Sequence, residues 1–216
     1  NKGTIKAEGI NTVGIYTENG NTINYNAKTN VGDGAIGIYL KDSGTTLNAN
    51  AGSINIIDSG IGIYAGIGTV VNVGISGTLE VNFKGDGGIL TFNDGGAVNL
   101  GANINIVTGT GTLAAAKNGN LSNSGSINIE NGSAGLLGVY TAGGPYIIEN
   151  TSSGTINVKG GGLGLAATGI GAAVIVENKG TIKAEGINTV GIYTDIGTIK
   201  NTGIIDVSDG GIGMYS

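Results

Sequence analysis

Short apolar runs recur along the whole chain, and glycines and polar residues separate them. The runs group into repeating units of about 25 residues, a spacing typical of solenoid proteins. The units begin near Asn1, Asn21, Thr45, Thr69, Ala97, Asn120, Tyr146, Ala172 and Thr198. The segment 1–17 also returns letter for letter at 178–194. A chain that repeats one phrase in this way is predicted to stack one structural unit many times.

Each unit contains three apolar runs, of which the second is the most regular. At 54–56 and at 127–129 it reads Ile-Asn-Ile, so that apolar and polar residues alternate. Alternation with a period of two predicts a half-buried strand. The first run leads into an Asn-x-Gly corner, as at 123–125, and the third run carries the phrase Gly-Ile-Tyr, as at 62–64.

Three strands in about 25 residues predict one turn of a parallel β-helix. We therefore expect an all-β fold: a right-handed parallel β-helix (solenoid) of about nine turns, with three short strands per turn. Residues 1–216 would form a single solenoid segment, excerpted from a longer polypeptide. Because stacked strands lie about 4.8 Å apart, the rod would be roughly 40 Å long.

The same alternation predicts which side chains fill the inside of the rod. For the second strand, the predicted inward stack is Ile5, Thr29, Ile54, Leu79, Ile104, Ile127, Ile156, Ile182 and Ile205. For the third strand, it is Ile15, Ile38, Ile63, Ile89, Val139, Leu165, Ile192 and Met214. No single turn can bury its own apolar edge, so this core would exist only as a stack.

Asparagines fall into two groups. Those at the corner after the first strand are predicted to bond amide to amide along the rod. This structural Asn ladder comprises Asn123, Asn150, Asn178 and Asn201, with Asn1 in the first unit. Those between two inward residues are predicted to point outward in a second ladder: Asn30, Asn55, Asn105, Asn128 and Asn157.

Tyrosines supply the first candidate for a binding surface, because each follows an inward aliphatic residue and should face solvent. The candidate ligand-contact ladder is Tyr16, Tyr39, Tyr64, Tyr140, Tyr193 and Tyr215. Leu90, Leu113 and Ala166 would take this position in other units, and a glycine two residues earlier would leave open surface beside each ring. Such rings could stack on a sugar or on a partner's apolar side chain, or could only stiffen the sheet.

Composition removes most catalytic chemistry from consideration. The chain has no Cys, His or Arg and a net charge of -5, which disfavours thiolate chemistry, histidine-based catalysis and phosphate binding. We therefore predict no catalytic residue, no cofactor, no metal site and no nucleic-acid partner. Weaker alternatives are glycosidic cleavage by Glu80 with Asp86 or by Asp33 with Asp42, and calcium binding at 85–88 or 94–96.

The phrases Asn-x-Gly-[Thr/Ser]-Ile and Gly-Ile-Tyr, as at 178–182 and 191–193, span nearly the whole chain. With them the chain resembles the passenger domain of a large fusobacterial-type autotransporter adhesin. The resemblance implies a non-enzymatic surface stalk, anchored in the outer membrane only through a C-terminal barrel outside this chain. Its partners would be receptors on host cells or other bacteria, either protein or glycan. The alternative is a carbohydrate-binding or polysaccharide-cleaving β-helix protein.

Overall fold

The computed structural model describes residues 3–109, 111–130 and 132–216, and all of its regular elements are β-strands. None of these residues lies in a helix, so this part of the chain offers no helix that could cross a membrane. Runs of β-branched residues interrupted by glycine favour strands and turns over helix, as predicted. The predicted all-β class is therefore confirmed.

The strands follow one another around the rod in chain order. They are β1 (Thr4–Ala7), β2 (Val13–Thr17), β3 (Thr22–Val31), β4 (Ile36–Leu40), β5 (Thr46–Ile57), β6 (Ile61–Ala65), β7 (Val70–Val73), β8 (Leu79–Lys84), β9 (Ile89–Leu100), β10 (Ile104–Thr108), β11 (Thr112–Asn123), β12 (Ser126–Ile129), β13 (Ala134–Tyr140), β14 (Gly143–Asn150), β15 (Thr155–Lys159), β16 (Leu163–Gly169), β17 (Ala172–Asn178), β18 (Thr181–Glu185), β19 (Val190–Thr194), β20 (Thr198–Asn201), β21 (Ile204–Ser208) and β22 (Ile212–Tyr215). Longer strands such as β5 bend around a corner and contribute to two faces of the rod.

Every described strand pairing is parallel, and each strand pairs with its equivalents one turn away. The third strands of the units, which form what we call the third face, show this most completely. They pair in the order β2, β4, β6, β9, β11, β13, β16, β19 and β22. Eight pairings join these nine strands, one strand from each unit of the sequence, and correspond to about eight turns. The predicted parallel β-helix is thus confirmed.

Aliphatic side chains fill the inside of the rod. Ile38 and Ile63 of the third face and Ile54 and Ile156 of the second face have no exposed surface. Each such side chain stabilises the fold by roughly 1.5 to 3 kcal/mol when fully buried. Burial is lost towards the last turn, where Met214 is 52% exposed, because no further turn covers it.

The register of the second face shifts by two residues at β8. Val81, and not Leu79, lies opposite Ile54, while Phe83 lies opposite Ile56. Leu79 instead pairs with Ile104 on the following turn. The longer corner between β7 and β8 lets β8 slide along its neighbour. Since a slip of two residues keeps each side chain on its original face, Leu79 and Val81 both remain fully buried.

Two predictions for the third face are wrong. Thr91 and not Ile89 lies opposite Ile63, so Ile89 aligns with Ile61. Leu136 pairs with Leu165 in the inward stack, whereas Val139 is 46% exposed. In one unit Leu90-Thr91-Phe92 takes the place of Gly-Ile-Tyr, and in the other Gly138-Val139-Tyr140 lies three residues beyond the equivalent Gly135-Leu136-Leu137.

The second face is interrupted between β10 and β12. Strands β12, β15, β18 and β21 form a sheet of their own, and the described residues of β10 pair only with β8. On the other two faces the same turns remain joined, because β11 pairs with β9, β13 and β14. We call the resulting opening the β10–β12 cleft.

Candidate functional site: the aromatic face

The third face carries a row of aromatic rings across the first four turns. Tyr16, Tyr39, Tyr64 and Phe92 lie in register on β2, β4, β6 and β9. Their ring centroids are 5.5, 4.9 and 5.4 Å apart in that order. Phe92 is not a member of the predicted tyrosine ladder, because the sequence pattern places Ile89 and not Thr91 opposite Ile63. We call these four residues the aromatic ladder.

The rings of the aromatic ladder do not all stack in the same way. Tyr64 and Phe92 are stacked at 29°, but Tyr39 meets Tyr64 edge to face at 83°. Tyr16 is tilted by 60° from Tyr39 and is half exposed. The ladder therefore exposes ring edges, hydroxyl groups and the more open ring of Tyr16 to solvent. It does not present a uniform row of open ring faces.

Carboxylates accept hydrogen bonds from two hydroxyl groups of this ladder, those of Tyr16 and Tyr64. The Tyr16 hydroxyl donates to Glu18 at 3.1 Å, and the Tyr64 hydroxyl donates to Asp94 Oδ2 at 2.7 Å. Asn118 Nδ2 donates to the other oxygen of Asp94, also at 2.7 Å. Both oxygens of Asp94 thus accept a hydrogen bond, which fixes the carboxylate beside the ring.

These contacts shift the pKa values of Asp94 and Tyr64 in opposite directions. Hydrogen bonds from Tyr64 and then from Asn118 lower the pKa of Asp94. Burial, followed by the hydrogen bond to Asp94, raises the pKa of Tyr64. At neutral pH the pair is therefore a neutral phenol that donates to a charged carboxylate.

A shallow groove of about 410 Å3 runs beside the aromatic ladder. Its lining combines two rings, one cation and two carboxylates with small polar and aliphatic groups: Tyr39, Lys41, Asp42, Ser43, Tyr64, Gly66, Ile67 and Asp94. Ile67 is 74% exposed at the rim. The Lys41 ammonium lies 3.4 Å from Glu18 Oε2. Aromatic rings beside hydrogen-bonding groups are suited to sugars and to polar peptide side chains.

Two further tyrosines form a separate pair at the other end of the face. Tyr193 and Tyr215 lie in register and stack at 9° with centroids 5.8 Å apart. The three intervening turns carry Ala115, Leu137 and Ala166 in the same position. Ala166 takes this position as predicted. The predicted ladder is therefore divided into two aromatic groups.

Tyr140 was predicted to face solvent, and this is wrong because its side chain has no exposed surface. Gly138 provides the space, since a Cβ atom on it would lie only 2.2 Å from the Tyr140 ring. The Tyr140 hydroxyl donates to the Gly119 carbonyl at 3.1 Å, and the ring stacks on Tyr146 at 4.5 Å. Burial raises the pKa of Tyr140, with a smaller contribution from Tyr146.

Leu90 and Leu113 also differ from the prediction, because both are fully buried. They occupy the position of the glycine that precedes the aromatic residue in other units. At Gly37 a Cβ atom would lie 2.6 Å from the Gly62 carbonyl oxygen and 2.8 Å from Val31 Cγ2. At Gly37, close packing on the core side therefore requires glycine, and the glycine does not leave open surface beside the ring.

The corner asparagines are brought together as a chain of amide hydrogen bonds. Asn123 donates to Asn150 at 2.9 Å, and Asn150 donates to Asn178 and Asn178 to Asn201 at 2.8 Å each. The first three are fully buried. Asn1, the further member proposed for this ladder, lies outside the described residues.

Outward asparagines also bond from turn to turn. On the second face Asn82 donates to Asn55 and Asn55 to Asn30, while Asn157 donates to Asn128. A ladder that was not predicted lies on the first face and consists of Asn24, Asn48, Asn72 and Asn99. Its signal was present in the sequence as an asparagine between two apolar residues in each first strand.

The acidic pairs considered for catalysis are not gathered in one groove. Glu80 lines a depression with Lys28 and Ser53, whereas Asp86 lines a different one with Gly111 and Ser133. In the part of the chain that the structure describes, no three Asp or Glu side chains are grouped as a metal site would require.

The fold defines the chain as a parallel β-solenoid with an aromatic face. No protein-family model matches the chain, and no curated protein or solved structure shows significant similarity to it.

Proposed function

We propose that the chain is a non-enzymatic structural and adhesive segment of a bacterial surface autotransporter. It would form a rigid part of a stalk and attach, or help to attach, the cell to other bacteria or to host cells. The observation that carries this proposal is the continuous stack of about eight turns around an aliphatic core. A stack of this kind suits a spacer, because its length grows with each turn while its cross-section is kept.

Resemblance of the repeated phrases to autotransporter passengers supports the cell-surface location. The partner would be a receptor of protein or glycan nature. The aromatic ladder and its groove are the surface that we assign to contact, because Tyr39, Tyr64 and Asp94 present ring edges and fixed hydrogen-bonding groups side by side.

Attachment of beads coated with the purified chain to bacterial and epithelial cells tests this function. We expect wild-type beads to attach and the double substitution Tyr39→Ala/Tyr64→Ala to reduce attachment severalfold. The matched control is Asn128→Ala/Asn157→Ala, which removes an exposed hydrogen bond on another face. Beads that do not attach at all would refute the adhesive role, and equal attachment by all three proteins would refute the assignment to this groove.

The groove also favours a second candidate, a carbohydrate-binding or polysaccharide-cleaving protein. Rings beside a carboxylate are common in sugar-binding sites because they combine stacking with hydrogen bonds. Incubation with a panel of polysaccharides distinguishes the two candidates. Turnover that is lost on Asp94→Asn, a carboxylate of the groove, would establish the enzyme, whereas binding without turnover that requires Tyr39 and Tyr64 would establish a glycan-binding adhesin.

A further inference from the structure

The β10–β12 cleft separates two strands that follow one another on the second face of the rod but do not pair. Nearly all pairs of Cα atoms, one from β10 and one from β12, are more than 8 Å apart. Paired strands lie about 4.8 Å apart, so β10 and β12 are separated by more than the spacing of one strand pair. The cleft therefore leaves an unpaired strand edge on each of its two sides.

The cleft opens the core of the rod to solvent. Ile104 and Ile106 of β10 are only half-buried, although Leu79 and Val81 directly beneath them are fully buried. The cleft has a volume of about 360 Å3. Its lining is aliphatic in the middle and polar at the rim: Ile104, Ile106, Leu113, Ile127 and Ile129, with Asn105, Ser126, Asn128, Glu130 and Ser133 among the rest.

Both walls of the cleft are edges of parallel sheets. On its other side β12 pairs with β15, where Ile127 and Ile129 lie against Ile156 and Val158. On its other side β10 pairs with β8. Each edge that faces the cleft presents backbone N–H and C=O groups that the sheet does not pair. A partner must therefore supply main-chain hydrogen bonds as well as apolar surface.

We propose that the β10–β12 cleft binds an extended strand of a partner polypeptide in which every second residue is aliphatic. Such a strand pairs with the free edges of the cleft and places its aliphatic residues on Ile104 and Ile106, the two isoleucines that are only half-buried. The strands of this chain that already cover β12 and β10 have the same alternation, as Ile156-Asn157-Val158 shows. A lipid chain would cover the isoleucines but leave the backbone groups unpaired. The inference does not depend on attachment to cells.

A labelled peptide with the sequence of residues 152–159 is the probe, because β15 is the natural neighbour of β12. The control peptide has the same composition, with the residues that correspond to Ile156 and Asn157 exchanged. We expect saturable binding of the probe to the full chain by fluorescence anisotropy. Binding of the control peptide should be at least roughly tenfold weaker, because only one of its two aliphatic residues can then face the core.

The substitution Ile106→Thr should weaken probe binding by roughly tenfold, since it removes apolar surface from the cleft. Lys183→Thr, at an exposed position of β18 outside the cleft, should leave binding unchanged. Hydrogen exchange supplies a readout that needs no variant, because bound probe should protect amides of β10 and β12 and not those of β18. Equal binding of both peptides, protection elsewhere, or binding of a fatty acid but not of the probe would overturn the proposal.

Discussion

Asn150 donates a hydrogen bond from its side-chain amide to Oδ1 of Asn178, 2.8 Å away on the next turn. The same amide group also reaches the Gly154 carbonyl at 3.2 Å, while its oxygen accepts from Asn123 at 2.9 Å. Asn150 is therefore fully buried yet saturated with partners, so that the corner of each turn is tied to the next.

Replacement of this residue should be costly. We expect Asn150→Ala to lower the free energy of unfolding by about 3 kcal/mol, because it removes both the acceptor of Asn123 Nδ2 and the donor to Asn178 Oδ1 from a buried ladder. Urea unfolding followed by circular dichroism measures the change. Asn157→Ala, in an exposed ladder, serves as the control and should cost less than about 1 kcal/mol. Equal losses for the two variants would contradict the importance of the buried ladder.

Gly37→Ala tests whether close packing requires glycine before the aromatic residue. The added methyl group would meet the Gly62 carbonyl and Val31, so we expect a loss of about 1 to 3 kcal/mol in the free energy of unfolding. Gly213 occupies the same position in the last turn, where the nearest atoms are side-chain carbons at 3.2 and 3.3 Å. Gly213→Ala should therefore be tolerated better, and a larger loss there than at Gly37 would refute this explanation.

Alkaline pH should weaken the fold through Tyr140. Because burial raises the pKa of Tyr140 in the folded chain, the neutral phenol contributes stability that is present below about pH 10, the ordinary pKa of tyrosine. This stability is lost as the pH rises towards the folded-state pKa. Ultraviolet titration should show late-ionising tyrosines in the wild type, with Tyr64 and Tyr140 among them, and one fewer in Tyr140→Phe. Loss of a tyrosine that ionises near pH 10 instead would place Tyr140 in solvent.

Acid should weaken the aromatic ladder through Asp94. Since its pKa is lowered in the folded chain, Asp94 contributes stability above about pH 4, the ordinary aspartate value, and this is lost as the pH falls through the lower folded-state pKa. Thermal unfolding of Asp94→Asn and the wild type should therefore differ at neutral pH and converge in acid. Asp42→Asn, in the same groove, is the control, and a difference independent of pH would contradict the role of the carboxylate.

Alternation and repeats in the sequence predicted the parallel β-helix and most of its core, because a period of two determines which face a residue occupies. The register between strands of neighbouring turns was harder to predict. The slip at Leu79 and Val81 depends on the length of a corner, and alternation is blind to a shift of two residues. The candidate site shows the same limit: Tyr16, Tyr39 and Tyr64 were correctly placed beside one another, but Tyr140 is buried because Gly138 makes room for its ring.

The sequence shared by residues 1–17 and 178–194 has a consequence for how such a rod changes over generations. In both copies its described part forms a second-face strand and a third-face strand, β1 with β2 and β18 with β19. Seven pairings separate β2 from β19 along the third face. Recombination between the two copies would thus delete or duplicate seven whole turns, roughly 34 Å of rod, and rejoin the chain in register. The length of the rod can therefore differ between descendant proteins, while the cross-section of the rod stays the same.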